Sequence, residues 1–427
     1  MLGNLQRALL YCYCILMSFT SAFAITPVLT IPVIISVLSI SVLSFQILKK
    51  QSSFVFFQED SLIICFLLYL FMSYLLNASY ANSPKATNHL FAYLFAHLFT
   101  YYLLKSIVFN NIITAKHINK LLMSISIGVC LSSLFGIFEF GLKNFLEIDI
   151  NEFVPRVTVS EYSPTIFGTL TRIRGFVEES GHFSLYLEVF APMTVYYFFQ
   201  SDKFKILKYI FCLIIISALI LTFSSSGIFI LSIDIIMLCV FSMSRKNTII
   251  NSSKIKKNLF IIIILVVCFL FYDNIKEFYE TAVVIKAVSS GSADDRNYRI
   301  SLGLKLLENN NLADWLIGYG PAMYDTVPMF RSVEGSSILV LYLLIILETG
   351  LIGLLFYVFF LLCVFKRLFS IKNNYYLQLA LGIGYMNALL HYFTIANYWY
   401  PWIWFQIILI QFFAVLSDKE SSSITLR

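Results

Sequence analysis

Two arginines, two glutamates and a histidine crowd the start of the stretch TRIRGFVEESGHFSLYLEVF, Thr171 to Phe190, which then turns apolar for the length of a membrane helix. A guanidinium is a planar fork matched to phosphate oxygens and stays charged at any accessible pH, so Arg172 and Arg174 fit a phosphorylated, acidic ligand. Glu178, Glu179 and His182 follow closely and are groups that can accept a proton from a hydroxyl. Cations beside a base, at the mouth of a membrane helix, suit transfer chemistry on an anionic lipid-borne substrate. Solvated loop carboxylates and a histidine that caps the helix or anchors at the interface account for the same residues.

A second set lies in SADDRNYRISLGLKLLENNNLADWLIGYGPAMYD. Arg296 and Arg299, three apart, share one face of a predicted helix whose apolar positions are Ile300, Leu304 and Leu307; Asn309 to Asn311 end it. Gly318 and Gly320 flank Tyr319 in a turn that could bring backbone close to a ligand, or be a turn and nothing more. Glu334 closes the same loop as a further candidate base.

The elements that must position these residues follow from composition. Of 427 residues 59% are hydrophobic and 13% charged, against about 25% charged in soluble domains. A helix needs roughly 20 apolar residues to cross the hydrocarbon. On that basis the chain is an all-α polytopic membrane protein, a single integral-membrane domain over 1–427 with about twelve spans, near 8–24, 28–48, 61–76, 89–109, 119–139, 183–200, 209–223, 227–243, 258–272, 337–365, 375–395 and 399–416. Nineteen of the 30 lysines and arginines fall in the segments that are cytoplasmic if both termini are inside, as the positive-inside rule asks. The net +6 then reads as topology and contact with anionic lipid, not nucleic-acid binding. Two long outer loops remain, 140–182 and 273–336. Arg156, Arg172, Arg174, Arg296, Arg299 and Arg331 lie on that outer side, against the trend the lysines follow.

The eight cysteines fall in or beside spans and read as small apolar residues, so no metal cluster and no outer disulfide is expected; no nucleotide motif stands out. Residues 338–365 run about 42 Å as a helix against roughly 30 Å of hydrocarbon, and Glu348, Thr349 and Gly350 interrupt them. Glu188, Asp234 and His391 are further polar groups inside predicted spans, as pathway residues or as paired structural ones.

The layout and four stretches resemble the bacterial O-antigen and polysaccharide polymerase family (Wzy-type) and, more broadly, the O-antigen ligases. The stretches are Arg174-Gly175 running into a helix, the turn TFSSSGIF (Thr222–Phe229), Arg296 followed by Gly318 and Gly320, and Glu348, Gly350 and Gly353 in E-x-G-x-x-G. Ser225 and Ser226 stand where the family usually has an arginine, and no histidine occurs between Asp273 and Ser337, where ligases carry one. The resemblance implies a GT-C-like membrane glycosyltransferase of the bacterial inner membrane, active on the periplasmic side. It would polymerise lipid-linked repeat units, using no cofactor, metal or nucleotide. Arg172, Arg174, Arg296 and Arg299 would hold undecaprenyl pyrophosphate, and Glu178, Glu179, His182 or Glu334 would act as base. Its partners would be the lipid-linked oligosaccharide, membrane lipid, a chain-length regulator and a flippase. A ligase and a lipid-linked oligosaccharide flippase are the alternatives.

Overall fold

The computed structural model describes residues 2–26, 28–80, 84–156, 165–166, 170–200, 206–244, 292–327, 338–372 and 374–424. Thirteen helices are described: α1 (Leu2–Leu16), α2 (Ile31–Leu48), α3 (Asp60–Leu76), α4 (Pro84–Asn111), α5 (Ala115–Phe145), α6 (Ser180–Gln200), α7 (Leu207–Leu221), α8 (Ser225–Ser244), α9 (Ser292–Glu308), α10 (Leu312–Ile317), α11 (Leu341–Leu368), α12 (Tyr375–His391) and α13 (Pro401–Ile424). Eleven of the twelve predicted spans overlap a described helix; 258–272 lies outside the described residues. Helices α2, α4, α5 and α11, and residues 401–418 of α13, are long and apolar enough to cross a membrane. The chain is a helical, membrane-embedded protein.

Local chemistry sets several helix starts. Thr114, Asn311 and Asn374 turn side-chain oxygens onto the free N–H groups of the first turns of α5, α10 and α12. Pro84 and Pro401 open α4 and α13, where the missing N–H costs nothing. The one correction at this level is α1, which ends at Leu16 although the apolar run continues to residue 24. Phe19 leaves the helix to stack on Phe176, their ring centroids 3.9 Å apart, and Ala22 and Phe23 donate backbone hydrogen bonds to the carbonyls of Phe176 and Pro155.

Helix α13 runs through the middle of the bundle, with Trp402 and Trp404 fully buried. Around it α12 packs on α6, α11 on α3, and α1 on both α5 and α2. Two of these contacts bring backbones together at glycine: a Cβ on Gly384 would sit 2.2 Å from the Val189 carbonyl oxygen, and one on Gly128 2.7 Å from that of Ile15. Close approach at small residues is how helices associate where the solvent is as apolar as their side chains.

The helices alternate in direction, so the ends of α3, α5, α7 and α12 meet the starts of α4, α6, α8, α11 and α13 at one end of the bundle. That end, called the loop end below, carries 146–156, 170–179, 309–327 and 392–400 and most of the described candidate residues.

Candidate functional site

Glu139, fully buried near the end of α5, organises the segment that holds the first arginines. Its Oε1 lies 3.2 Å from both Arg156 Nη2 and Lys143 Nζ, and its Oε2 accepts the backbone N–H groups of Arg174 at 3.0 Å and Gly175 at 2.8 Å. Gly175 adopts φ +56°, which lets both amides turn onto one oxygen. The Asn151 side-chain oxygen bridges the two guanidinium groups, at 2.8 Å from Arg156 Nη1 and 2.6 Å from Arg174 Nη2. Two cations therefore pair with one buried carboxylate, and a third, Arg174, adjoins them through Asn151. Burial, then the neighbouring Arg156, holds the Arg174 pKa below the usual arginine value. Arg174 is 6% exposed, so it belongs to the scaffold of this end as much as to any ligand surface. Arg172 differs: it is half-buried, and its Nε donates to the Thr222 carbonyl at 2.8 Å, seating the arginine segment on the turn between α7 and α8.

The candidate bases continue from there. Glu179 is exposed, Glu178 half-buried and His182 buried in the first turn of α6. Tyr400, on the 392–400 loop, places its hydroxyl 3.2 Å from Glu178 Oε2 and 3.2 Å from His182 Nδ1, with the His182 ring edge-on to its own. Glu178 and His182 are thus two ends of one hydrogen-bonded chain through a tyrosine.

The glycine turn meets helix α11. Gly318 and Gly320 take φ +77° and +87°, and a Cβ on Gly318 would lie 2.4 Å from the Gly350 nitrogen. What approaches Gly318 is the backbone of helix α11. At Gly350 (φ 65°, ψ −172°) α11 breaks, releasing carbonyls that an intact helix would use. Tyr319 and Gly320 donate their N–H groups to the Leu347 and Glu348 carbonyls at 2.8 and 2.9 Å, and Ser73 Oγ adds a bond to Glu348 O at 3.0 Å. The Glu348 carboxylate is fully buried and accepts from Ala322 N (2.7 Å) and Tyr93 Oη (2.6 Å), with His89 Nδ1 at 3.1 Å. The G-x-G and the E-x-G-x-x-G stretches are two halves of one joint.

Arg296 and Arg299 lie, half-buried, on α9, which ends at Glu308 as the asparagines demand. The buried leucines of this helix are Leu302, Leu306 and Leu307; Leu304 is 48% exposed, a correction to the expected face. The helix turns its buried stripe toward α11, where Gly303 faces Leu343. Arg299 comes within electrostatic reach of Tyr324. Glu334 and Arg331 lie outside the described residues.

The segment that ties these pieces together, 392–400, holds none of the candidate residues named from the sequence. Tyr398 stacks on Tyr93 of the Glu348 joint, centroids 3.9 Å apart, while Tyr400, two residues on, reaches Glu178 and His182. The available signal was NYWYPWIW, an aromatic run between the last two spans whose rings carry polar handles. Among the described residues no group of His, Cys, Asp or Glu is arranged to hold a metal ion. A scan against protein-family models and a search of curated proteins return no match to the chain.

Proposed function

We propose that this chain polymerises lipid-linked oligosaccharide repeat units, transferring the growing glycan from undecaprenyl pyrophosphate to a sugar hydroxyl of the incoming unit. The observation that carries the reading is the Arg172 seat on Thr222. It joins the arginine-glycine element to the serine turn, two stretches that the sequence resemblance singled out independently, at the end of the bundle where the Glu178–Tyr400–His182 chain also lies. Cations and proton acceptors in one neighbourhood are what the reaction asks for: a pyrophosphate leaving group develops negative charge that fixed cations stabilise, and the attacking hydroxyl must lose a proton.

On this reading the twelve spans form a GT-C-like frame in the bacterial inner membrane and the loop end faces the periplasm. Arg172 is the first contact for pyrophosphate, Arg296 and Arg299 on α9 are further candidate contacts, and Arg174 belongs to the buried scaffold. The transfer needs neither nucleotide nor metal. A flippase would supply the repeat units and a chain-length regulator would limit the product.

Deleting the gene tests the reading. The expected phenotype is surface glycan of single repeat units in place of a ladder, because export and attachment persist while polymerisation stops. Loss of every exported unit would point to a flippase or a ligase. Arg172→Ala is expected to shorten chains at normal membrane abundance, whereas Arg174→Ala lowers abundance as well, since it removes a buried scaffold bond.

A further inference from the structure

Glu188 and His391 are buried, on α6 and at the last residue of α12. His391 Nδ1 lies 2.7 Å from Glu188 Oε2, and the Ser184 hydroxyl donates to the other carboxylate oxygen. A carboxylate only accepts, so Nδ1 carries the proton and the lone pair of Nε2 is left for a donor. That donor is Ser226, in the first turn of α8, with its Oγ 3.4 Å from Nε2. Ser226 is half-buried and stands four residues after the carbonyl that seats Arg172. Ser224 Oγ, 3.0 Å away, fixes the hydroxyl from the other side. The geometry depends on Gly227: a Cβ there would lie 2.0 Å from Ser184 Oγ and 3.0 Å from Glu188 Oε1, so only glycine lets α8 come this close to the carboxylate. Asn387 holds the same region together, donating to Asp234 Oδ2 at 2.9 Å and to the Glu188 carbonyl at 3.3 Å.

A serine, a histidine and a glutamate joined in this order make a proton path that runs from a half-buried hydroxyl to a buried carboxylate. We propose that Ser226, His391 and Glu188, in place of the Glu178–Tyr400–His182 chain, are the relay that deprotonates the acceptor hydroxyl during transfer, an inference that rests on the polymerase reading above. The sugar hydroxyl gives its proton to Ser226 Oγ as Ser226 gives its own to His391 Nε2. The acceptor oxygen forms the bond to the anomeric carbon; the bond from that carbon to the pyrophosphate oxygen breaks, and its electron pair leaves on the lipid pyrophosphate. Glu188 stabilises the imidazolium so formed, and the proton then passes to solvent. Ser226 is the catalytic residue that meets substrate, His391 is the proton acceptor, and Glu188 is a positioning residue.

The test uses the full-length protein in liposomes, supplied with lipid-linked repeat units extracted from cells deleted for its gene, with chain growth followed over time. Ser226→Ala is expected to lower kcat by roughly 10²- to 10⁴-fold, the range for loss of a positioned base, with KM nearly unchanged. Ser226→Thr, which keeps the hydroxyl, restores most of the rate. His391→Gln and Glu188→Gln fall with Ser226→Ala, and Ser232→Ala, exposed on the same helix, equals wild type. Wild-type kcat in Ser226→Ala, a rise in KM alone, or a rate lost only in proportion to protein recovered overturns the relay while leaving the polymerase reading intact. A wild-type protein that makes no chains from these units overturns both.

Discussion

The two ends of the bundle handle buried charge in opposite ways. At the end away from the loops, Glu59 and Asp60 meet Arg367 and Lys105, two carboxylates for two cations. Asp60 accepts from Lys105, Tyr101 and the Phe57 amide; Glu59 accepts from Arg367 and Gln411. Lys105 also lies over the Tyr101 ring at 4.6 Å, and Arg367 over Phe57 at 4.5 Å. At the loop end, buried Glu139 faces Arg156, Lys143 and the backbone of Arg174, with Asp149 and Glu178 within electrostatic reach of Arg174. The first cluster is closed, neutral and finished. The second has one buried carboxylate, and the exposed Asp149 and half-buried Glu178 supply the rest of the negative charge around its cations. Carboxylates at the surface can yield their cations to an incoming anion, whereas buried and fully bonded ones cannot.

Removing Glu139 should break the loop end outright. Glu139→Leu strands two buried cations and two backbone amides, and breaking a single buried pair already costs about 3–5 kcal/mol of a total stability near 5–15 kcal/mol. The expected outcome is loss of folded protein from the membrane fraction. Normal abundance would mean that Asp149 and Glu178 suffice to hold the cations without Glu139.

The closed end should behave as a balanced pair. Asp60→Leu or Lys105→Met alone is expected to cost about 3–5 kcal/mol, but the double variant should recover most of that, because no charge is left buried without a partner. Thermal unfolding of the purified variants in detergent closes the cycle. Additive losses would show that the cluster is not the unit proposed.

How much of this was legible in the sequence depends on the range of the interaction. Gly350 was readable as a break, since Glu-Thr-Gly interrupts an otherwise apolar run. Helix α9 was readable from its spacing and its terminal asparagines. Both are local signals. The partners of these elements were not: Gly318 finds Gly350, His391 finds Glu188 and Tyr400 finds His182 across long stretches of chain, and no single-sequence period encodes such meetings. Leu304 failed for a related reason, because two helical stripes fit its leucine-rich helix and only the position of α11 chooses between them. The early end of α1 likewise depends on Phe176, which is remote in sequence. The Gly318–Gly350 joint gives the next test. Gly350→Ala places a side chain at φ 65° and a Cβ 2.3 Å from the Leu316 carbonyl oxygen. The backbone conformation alone is worth about 1–3 kcal/mol. A lower unfolding temperature with the α11 break retained is expected, while an unchanged one would mean the joint is loose.

The smallest effect is the most direct probe of the cations at the loop end. If the loop end is built to receive a phosphorylated anion, inorganic pyrophosphate should stabilise the purified protein by mass action, by about 1.4 kcal/mol at ten times its dissociation constant. Chloride at the same ionic strength supplies the same screening without a bidentate acceptor and should not reproduce the shift. The two ends then separate by substitution. Arg172→Ala, which leaves the Glu139 cluster intact, should abolish the pyrophosphate shift, and Arg172→Lys should restore part of it, because a point charge attracts the anion but lacks the planar fork. Arg367→Gln should lower the starting stability and keep the shift, since its guanidinium is already committed to Glu59. A shift that survives Arg172→Ala and disappears in Arg367→Gln would move the anion site to the opposite end of the bundle, and the polymerase reading would lose its cation.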